Sequence, residues 1–343
     1  TETQNLPRHV ARLQQHQGEA YDEWLKEQVD PAEDDCDVEQ PARKQSHGLR
    51  NLIFCLLALV IALSVVIVFA LPSQPVASTE GRRDGVSTLL LAGLDASGTR
   101  TDALMLLTLD ANEDAVRLVS IPRDTLVPGD YNAPRLSGVY GLAGGGKAGT
   151  DALMAQMTDL IGFEPDGYLI VTMPALQAVV DALGGVEFDV PMDMQYADSA
   201  QDLVIDLQAG LQTLNGEDAV ELAVFREGYS DLDLGRIQTQ QQLMAALINA
   251  AAGRPGSAPK LYRIFRQQMQ TDLTAANWLW LARTAILADT GTISAATVPC
   301  SVSYFEGVQC YIPDAELTAS LMSAYSSPYE LPVTTADLNI RTP

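Results

Sequence analysis

Leu52–Leu71 is an unbroken apolar run of 20 residues, relieved only by Cys55 and Ser64 and carrying no charge. A helix rising ~1.5 Å per residue would reach ~30 Å over that length, the thickness of a bilayer's hydrocarbon core. A helix buried in a soluble domain keeps a polar side, and this one has none. About fifty residues precede the run, and it is too long for the apolar core of a cleaved leader. The sequence therefore predicts a tail at 1–50, a transmembrane helix at 51–71, a linker at 72–86, a large domain at 87–329 and a C-terminal tail at 330–343. Arg43, Lys44 and Arg50 on one flank outnumber Arg82 and Arg83 on the other, which places the N-terminus in the cytoplasm and the domain outside.

Charge narrows the partners. The chain has 21 basic and 44 acidic residues, a formal net charge of −23. No broad basic surface can be assembled from that inventory, so nucleic acid is excluded as a partner held by counterion release. An apolar content of 47% excludes a wholly disordered chain. The tail has weak helical periodicity through Leu6, Val10, Leu13, Trp24 and Leu25, then an acid-rich stretch with Asp34, Asp35, Asp37 and Glu39 that reads as solvated.

All three histidines, His9, His16 and His47, precede the apolar run. The outer domain therefore has no Ser-His-Asp triad, no Cys-His pair and no His-bearing zinc site. Carboxylates, arginines and a hard cation remain, a set suited to phosphoryl transfer, where charge neutralisation and alignment supply most of the rate. Cys300 and Cys310 lie close together far downstream, and on an oxidising exterior that spacing suits a disulfide; two free thiols are the alternative.

Short apolar runs alternate with helical patterns across the domain. Ser87–Leu94, Ala103–Leu109, Val116–Ile121, Tyr168–Met173 and Val186–Val190 read as strands, several apolar on both faces. Thr150–Ile161, Pro174–Leu183, Gly216–Phe225, Gly235–Ala252 and Ala275–Ala288 read as helices. The expected architecture is an α/β domain with a central mixed β-sheet flanked by helices, its site at the strand ends.

Basic residues at strand ends stand out in a domain where 33 acids face 15 bases. Arg100 falls between two strands, and Arg123 follows Ile121-Pro122, where the residue before proline must stay extended and the strand stops. Arg226 and Arg236 flank a short segment ending at Asp233 and Gly235. The four could converge as a guanidinium clamp for phosphates, or each could be an ordinary solvated or ion-paired arginine. Asp95 and Asp102 could cap turns or hold Mg²⁺ (or Mn²⁺) against a ligand's phosphates. Gly144-Gly145-Gly146 lacks the Gly-Lys-Ser/Thr of a Walker loop and reads as a flexible connection.

Together these segments resemble the LytR-CpsA-Psr family of membrane-anchored cell-wall enzymes. The matching stretches are Leu89–Asp95, Arg100-Thr101-Asp102, Leu118–Thr125, Val180–Val186, Ala209–Glu217 and Asp233–Gln238, with a looser match at Thr297–Asp314. The resemblance implies transfer of an anionic glycopolymer, such as a teichoic acid or capsule, from an undecaprenyl pyrophosphate carrier onto peptidoglycan at the plasma membrane of a Gram-positive type envelope. Carried over by motif position, Asp95 and Asp102 would hold Mg²⁺ and Arg100, Arg123, Arg226 and Arg236 would bind the pyrophosphate. Asp233 would orient Arg236 or act near the acceptor, and the lipid tail would lie in an apolar channel under the sheet. Without histidine the base is a carboxylate, with Asp102 and Asp233 as candidates. The chain departs from the family pattern at Val224 and Thr239, where arginine is usual. Losing those charges favours a slow transferase, a binding or regulatory relative, or a lipid-pyrophosphate hydrolase, unless Arg135 or Lys147 compensates.

Overall fold

The computed structural model describes residues 74–75, 81–128, 135–198, 203–229, 233–288 and 293–342. The tail and the Leu52–Leu71 run lie outside the described residues, so the predicted span is neither seen nor replaced. Among the described residues no helix is long and apolar enough to cross a membrane.

The central sheet has six strands: β1 (Val86–Leu94), β2 (Thr101–Asp110), β3 (Ala115–Ser120), β4 (Gly167–Val171), β9 (Gln270–Thr271) and β10 (Ser294–Thr297), in the order β10-β3-β2-β1-β4-β9. β1, β2 and β3 are antiparallel neighbours, β4 runs parallel to β1 and β10 parallel to β3. The sheet is thus mixed, as expected. Strand alternation explains why β1 is apolar throughout. Leu90, Ala92 and Leu94 face a core closed by α1 (Leu136–Leu142), α2 (Gly146–Ile161) and α8 (Ala315–Tyr325), against Leu136, Val139, Leu153, Met157 and Met322. On the other side Leu89 packs with Phe265 of α6 (Ala258–Gln268) and with Trp280 and Leu281 of α7 (Ala275–Leu287).

Further along that second face, Leu91, Gly93, Ala103 and Met105 look into a cavity. Its other walls come from α3 (Met173–Leu183), α4 (Gly216–Val224) and α5 (Asp233–Gly253). These helices close a core of their own with the hairpin-like pairs β5 (Val186–Val190) with β8 (Gly210–Leu214) and β6 (Met194–Asp198) with β7 (Leu203–Leu207). The expected strands and helices match observed elements to within a few residues. The sequence reading lacks α1, α6, α8 and every strand after β5; those strands are too short to show a period and glycine or alanine blunts α1 and α8, while α6 was open to reading from Leu261, Ile264 and Phe265 on its buried face.

Two segments expected to hang free are fastened to the domain. Arg82, read as a charge on the outer membrane flank, is 6% exposed and ion-paired with buried Asp166, whose carboxylate also accepts from the Thr88 N–H at 2.9 Å. Residues 330–342, expected as a tail, lie against the domain: Asn339 N donates to Asp159 O at 2.7 Å and Arg341 to Val127 O at 3.2 Å.

The expected disulfide is absent; Cys300 and Cys310 are free thiols. On the hairpin of β11 (Cys300–Phe305) and β12 (Val308–Pro313), Cys300 pairs with Pro313 and Cys310 with Ser303. The cysteines are offset by three positions, ~10 Å along the strand, and an odd offset points them to opposite faces. Disulfides need Cα atoms within ~7 Å, so proximity in sequence misleads here. Burial raises the Cys300 thiol pKa to about 12, against a hydrogen bond with Thr125.

Two stability measurements follow. Reductant leaves the melting temperature of the full chain unchanged; a drop of several degrees would restore the crosslink. Arg82→Met strands the Asp166 carboxylate and costs about 3 kcal/mol or more, a fall of roughly 6–12 °C by calorimetry, while Arg82→Met with Asp166→Leu recovers most of it.

Candidate functional site

A slip in one hairpin places the central carboxylate. Gly93 pairs with Ala103 but Leu94 pairs with Thr101, leaving Asp102 as the extra residue of a bulge. A bulge re-aims a side chain. Thr101 stays fully buried while Asp102 turns to the mouth of the apolar cavity. Each of its oxygens accepts from a guanidinium: Arg123 Nη1 at 2.5 Å and Arg226 Nη2 at 2.9 Å.

Around this bridge the other predicted residues assemble. Arg123 projects from the loop after β3, its Nε 3.7 Å from Asp233 and 3.8 Å from Asp124. Asp233 opens α5, and Arg236, one turn on, donates to it at 2.5 Å. Arg135 pairs with Asp124 at 3.2 Å. Four guanidiniums thus sit among three carboxylates, an excess of positive charge in an otherwise acidic domain. Burial alone would lower the Arg123 pKa, but the carboxylates of Asp102, Asp233 and Asp124 outweigh it and raise it. Burial lowers that of Arg236 to about 10; Arg123 and Arg226 push the same way and Asp233 opposes, so the group stays charged at neutral pH.

Arg236 is 1% exposed, yet among the described residues its Nε and Nη1 have no hydrogen-bond partner, and neither has Asp233 Oδ2. An unsatisfied buried donor costs ~1–3 kcal/mol, more when charged. Such groups persist where a ligand completes them. Arg123, Arg135, Arg226 and Asp233 line one polar cavity of about 300 Å³, with Gln309 and Tyr311 of β12 as its far wall. Asp102, bound to two of those arginines, also lines the mouth of the apolar cavity, about 120 Å³ in volume. A charged chamber and an apolar one therefore meet across a single pair of ion bridges.

Not every predicted residue joins the cluster. Arg100 is exposed and lines a separate cavity with Arg135, Thr99 and Ser137. Asp95 is bound within its own turn, accepting from the Ser97 hydroxyl at 2.8 Å and the Thr99 and Arg100 N–H groups at 3.1 and 3.2 Å. Burial is the largest single influence and raises its pKa, but these bonds together with the Arg100 charge outweigh it to give a net lowering, so it is anionic. Lys147 is exposed and paired with Asp151 at 2.7 Å, whereas Arg135 does line the cavity. Val224 faces the apolar cavity. Thr239 is buried and meets the Tyr229 hydroxyl at 2.9 Å, across Gly235, where a Cβ would fall 2.5 Å from the Tyr229 ring. Asp124, Gln309 and Tyr311 escaped the sequence reading. Asp124 was legible as Arg123's neighbour, while the β12 residues carry no pattern that points to a site.

Among the described residues no three His, Cys, Asp or Glu side chains form a metal cage. Asp95 and Asp102 do stand at one end of the β1–β2 hairpin, the first held anionic. Two carboxylates are the number Mg²⁺ takes when phosphates and water complete its octahedron. Both carboxylates are engaged, Asp95 by its own turn and Asp102 by Arg123 and Arg226, so a cation here would have to take the place of those partners.

The profile of the LytR_cpsA_psr family matches residues 70–326. The chain is 27% identical over 239 residues to a polyisoprenyl-teichoic acid–peptidoglycan teichoic acid transferase, TagV, of Bacillus subtilis, covering 64% of this chain and 60% of that protein. It is 30% identical over 183 residues to the cell wall biosynthesis protein LcpA of Corynebacterium glutamicum, covering 47% of this chain and 34% of that one. The matches thus span between about a third and three fifths of these relatives. The crystal structure of B. subtilis TagV superposes with a TM-score of 0.60 at 22% identity, covering 71% of this chain and all of that one. A structure titled TagT bound to LIIa-WTA gives 0.60 at 19%, covering 76% and 97%. At these identities the structures establish the shared fold.

Inorganic pyrophosphate raises the melting temperature of the full chain, since a ligand at 100 times its Kd stabilises by about 2.7 kcal/mol. Arg236→Gln abolishes most of that rise; an undiminished shift would place the anion elsewhere.

Proposed function

The chain belongs to the LytR-CpsA-Psr family, and from that premise we propose that it moves a glycopolymer from a polyprenyl (undecaprenyl) pyrophosphate carrier to peptidoglycan. One observation carries the reading: Arg123 and Arg226 line a charged chamber, Asp102, which bridges them, lines an apolar cavity, and buried Arg236 lies close enough to both arginines to feel their charge. That shape suits an amphipathic donor with several anionic oxygens and a hydrocarbon tail. Leu91, Met105, Leu176, Leu243 and Leu247 would cover the tail.

In the reaction a wall hydroxyl attacks the phosphorus that bears the glycan. The bond from that phosphorus to the bridging oxygen breaks, and polyprenyl phosphate leaves with the electron pair. Arg123, Arg226 and Arg236 neutralise the charge that grows on the leaving phosphate, which stabilises the transition state more than the ground state. Asp102 is saturated by two arginines, whereas Asp233 Oδ2 is free of partners and is the better acceptor for the hydroxyl proton. Asp95 and Asp102 are the carboxylates that would hold Mg²⁺, Asp102 in exchange for a guanidinium, and the ion would supply further neutralisation of the pyrophosphate. Arg100, outside the cluster, would reach the donor's glycan side. The Leu52–Leu71 run would anchor the protein once in the plasma membrane, domain outside, in a Gram-positive type envelope.

A second reading follows from Val224 and Thr239. Neither offers a positive charge, and Val224 extends the apolar cavity instead. A protein that holds lipid pyrophosphate without turnover would use the same chambers.

The full chain in detergent, given a lipid-pyrophosphate-linked sugar, peptidoglycan fragments and Mg²⁺, releases polyprenyl phosphate and leaves the sugar phosphate on the wall fragment. Arg123→Ala lowers the rate by roughly 10²-fold, since charge-assisted hydrogen bonds are worth ~1.5–3 kcal/mol each. Donor bound without release would establish the second reading, and free sugar phosphate would make the protein a hydrolase.

A further inference from the structure

The β11–β12 hairpin has two unlike faces. Directly opposed residues of an antiparallel pair point to the same side. On one side Ser303 opposes Cys310, which is 1% exposed, and Phe305 lies under the Arg341 guanidinium at 4.6 Å. On the other, Val302 opposes Tyr311 and Tyr304 opposes Gln309. Tyr311 and Gln309 form the far wall of the arginine chamber. Val302 and Tyr304 continue the same surface outward, and Tyr304 is 64% exposed.

This surface is held in register with the site. Tyr311 N donates to Asp124 O at 3.0 Å and Leu126 N to Tyr311 O at 2.9 Å, so the strand is tied to the loop that carries Arg123. Its chemistry is distinct from that of the chamber: two phenol rings, an amide and a valine, with no charge. An anionic ligand has nothing to pair with there, and a hydrocarbon tail has a deep cavity on the far side of Asp102. Rings flanked by amide and hydroxyl groups suit a sugar, whose C–H face packs on an aromatic ring while its polar edge takes hydrogen bonds.

We propose that Tyr304, Gln309 and Tyr311 form the subsite for the acceptor, an uncharged N-acetylated glycan whose attacking hydroxyl is delivered past Tyr311 to Asp233 and the arginine cluster. The assignment rests on the transferase reading, because it takes the arginine chamber as the donor's. Tyr304 is a positioning residue.

The test uses the full chain in detergent with a soluble β-1,4-linked N-acetylglucosamine tetramer, its binding followed by ligand-observed NMR and calorimetry. Tyr304→Ala weakens binding about tenfold or more, Tyr304→Phe stays close to the parent, and Val204→Ala on a distant exposed strand changes nothing. In the transfer assay Tyr304→Ala raises the KM for peptidoglycan fragments by a similar factor, with the donor KM, kcat and the pyrophosphate-induced thermal shift unchanged. Sugar binding that depends on Tyr304 in a protein that never transfers supports the glycan site and overturns only the transfer reading. Equal affinity and acceptor KM in Tyr304→Ala and the parent overturn the proposal, as does a parent chain that does not bind the tetramer.

Discussion

Three guanidiniums cannot share a small volume unless carboxylates hold them there. Arg123 and Arg226 meet because Asp102 accepts from both, and Arg236 is kept buried and charged by Asp233. Each bridge is drawn from a different part of the chain: a bulged strand, a loop after a strand, a helix end and a helix start. Removing any one would leave like charges facing one another in a poorly solvated space. The sheet, the bulge and the first turn of α5 are thus arranged around one electrostatic problem. The solution leaves Arg236 with donors to spare.

Much of this was legible. Pro122 after Ile121 marks a strand end, so Arg123 at a rim was readable from one dipeptide. β1 is readable as an unbroken apolar run because both its faces are buried, whereas α5 is readable by its length more than its period, since Arg236, Thr239, Gln240 and Gln241 are among its buried residues. What was not legible depends on distance in sequence. The slip that turns Asp102 into the cavity mouth is set by pairing, and nothing in Arg100-Thr101-Asp102 announces it. Arg82 looked like membrane-flank charge because its partner, Asp166, lies 84 residues away. Cys300 and Cys310 looked like a pair because spacing says nothing of which side of a hairpin each faces.

The departures at Val224 and Thr239 acquire a physical meaning from their surroundings. Val224 belongs to the apolar wall, and an arginine there would bring a charge among Leu91, Met105 and Leu243. Thr239 is locked by Tyr229, which fits only because Gly235 has no side chain. Arg135, tied to Asp124, restores part of the charge from the opposite side of the chamber.

The way the chain enters the sheet sets a standoff. Gln74 accepts from the Gly85 N–H and receives the Asn277 side-chain amide through its carbonyl, fixing the residues just after the apolar run to the start of β1. The bulge and the arginines stand at the other end of that strand, nine residues on, or ~30 Å. The fold therefore holds a fixed distance between Gln74 and the charged chamber. The row of Leu91, Gly93, Ala103 and Met105 provides a dry path for the later part of that distance.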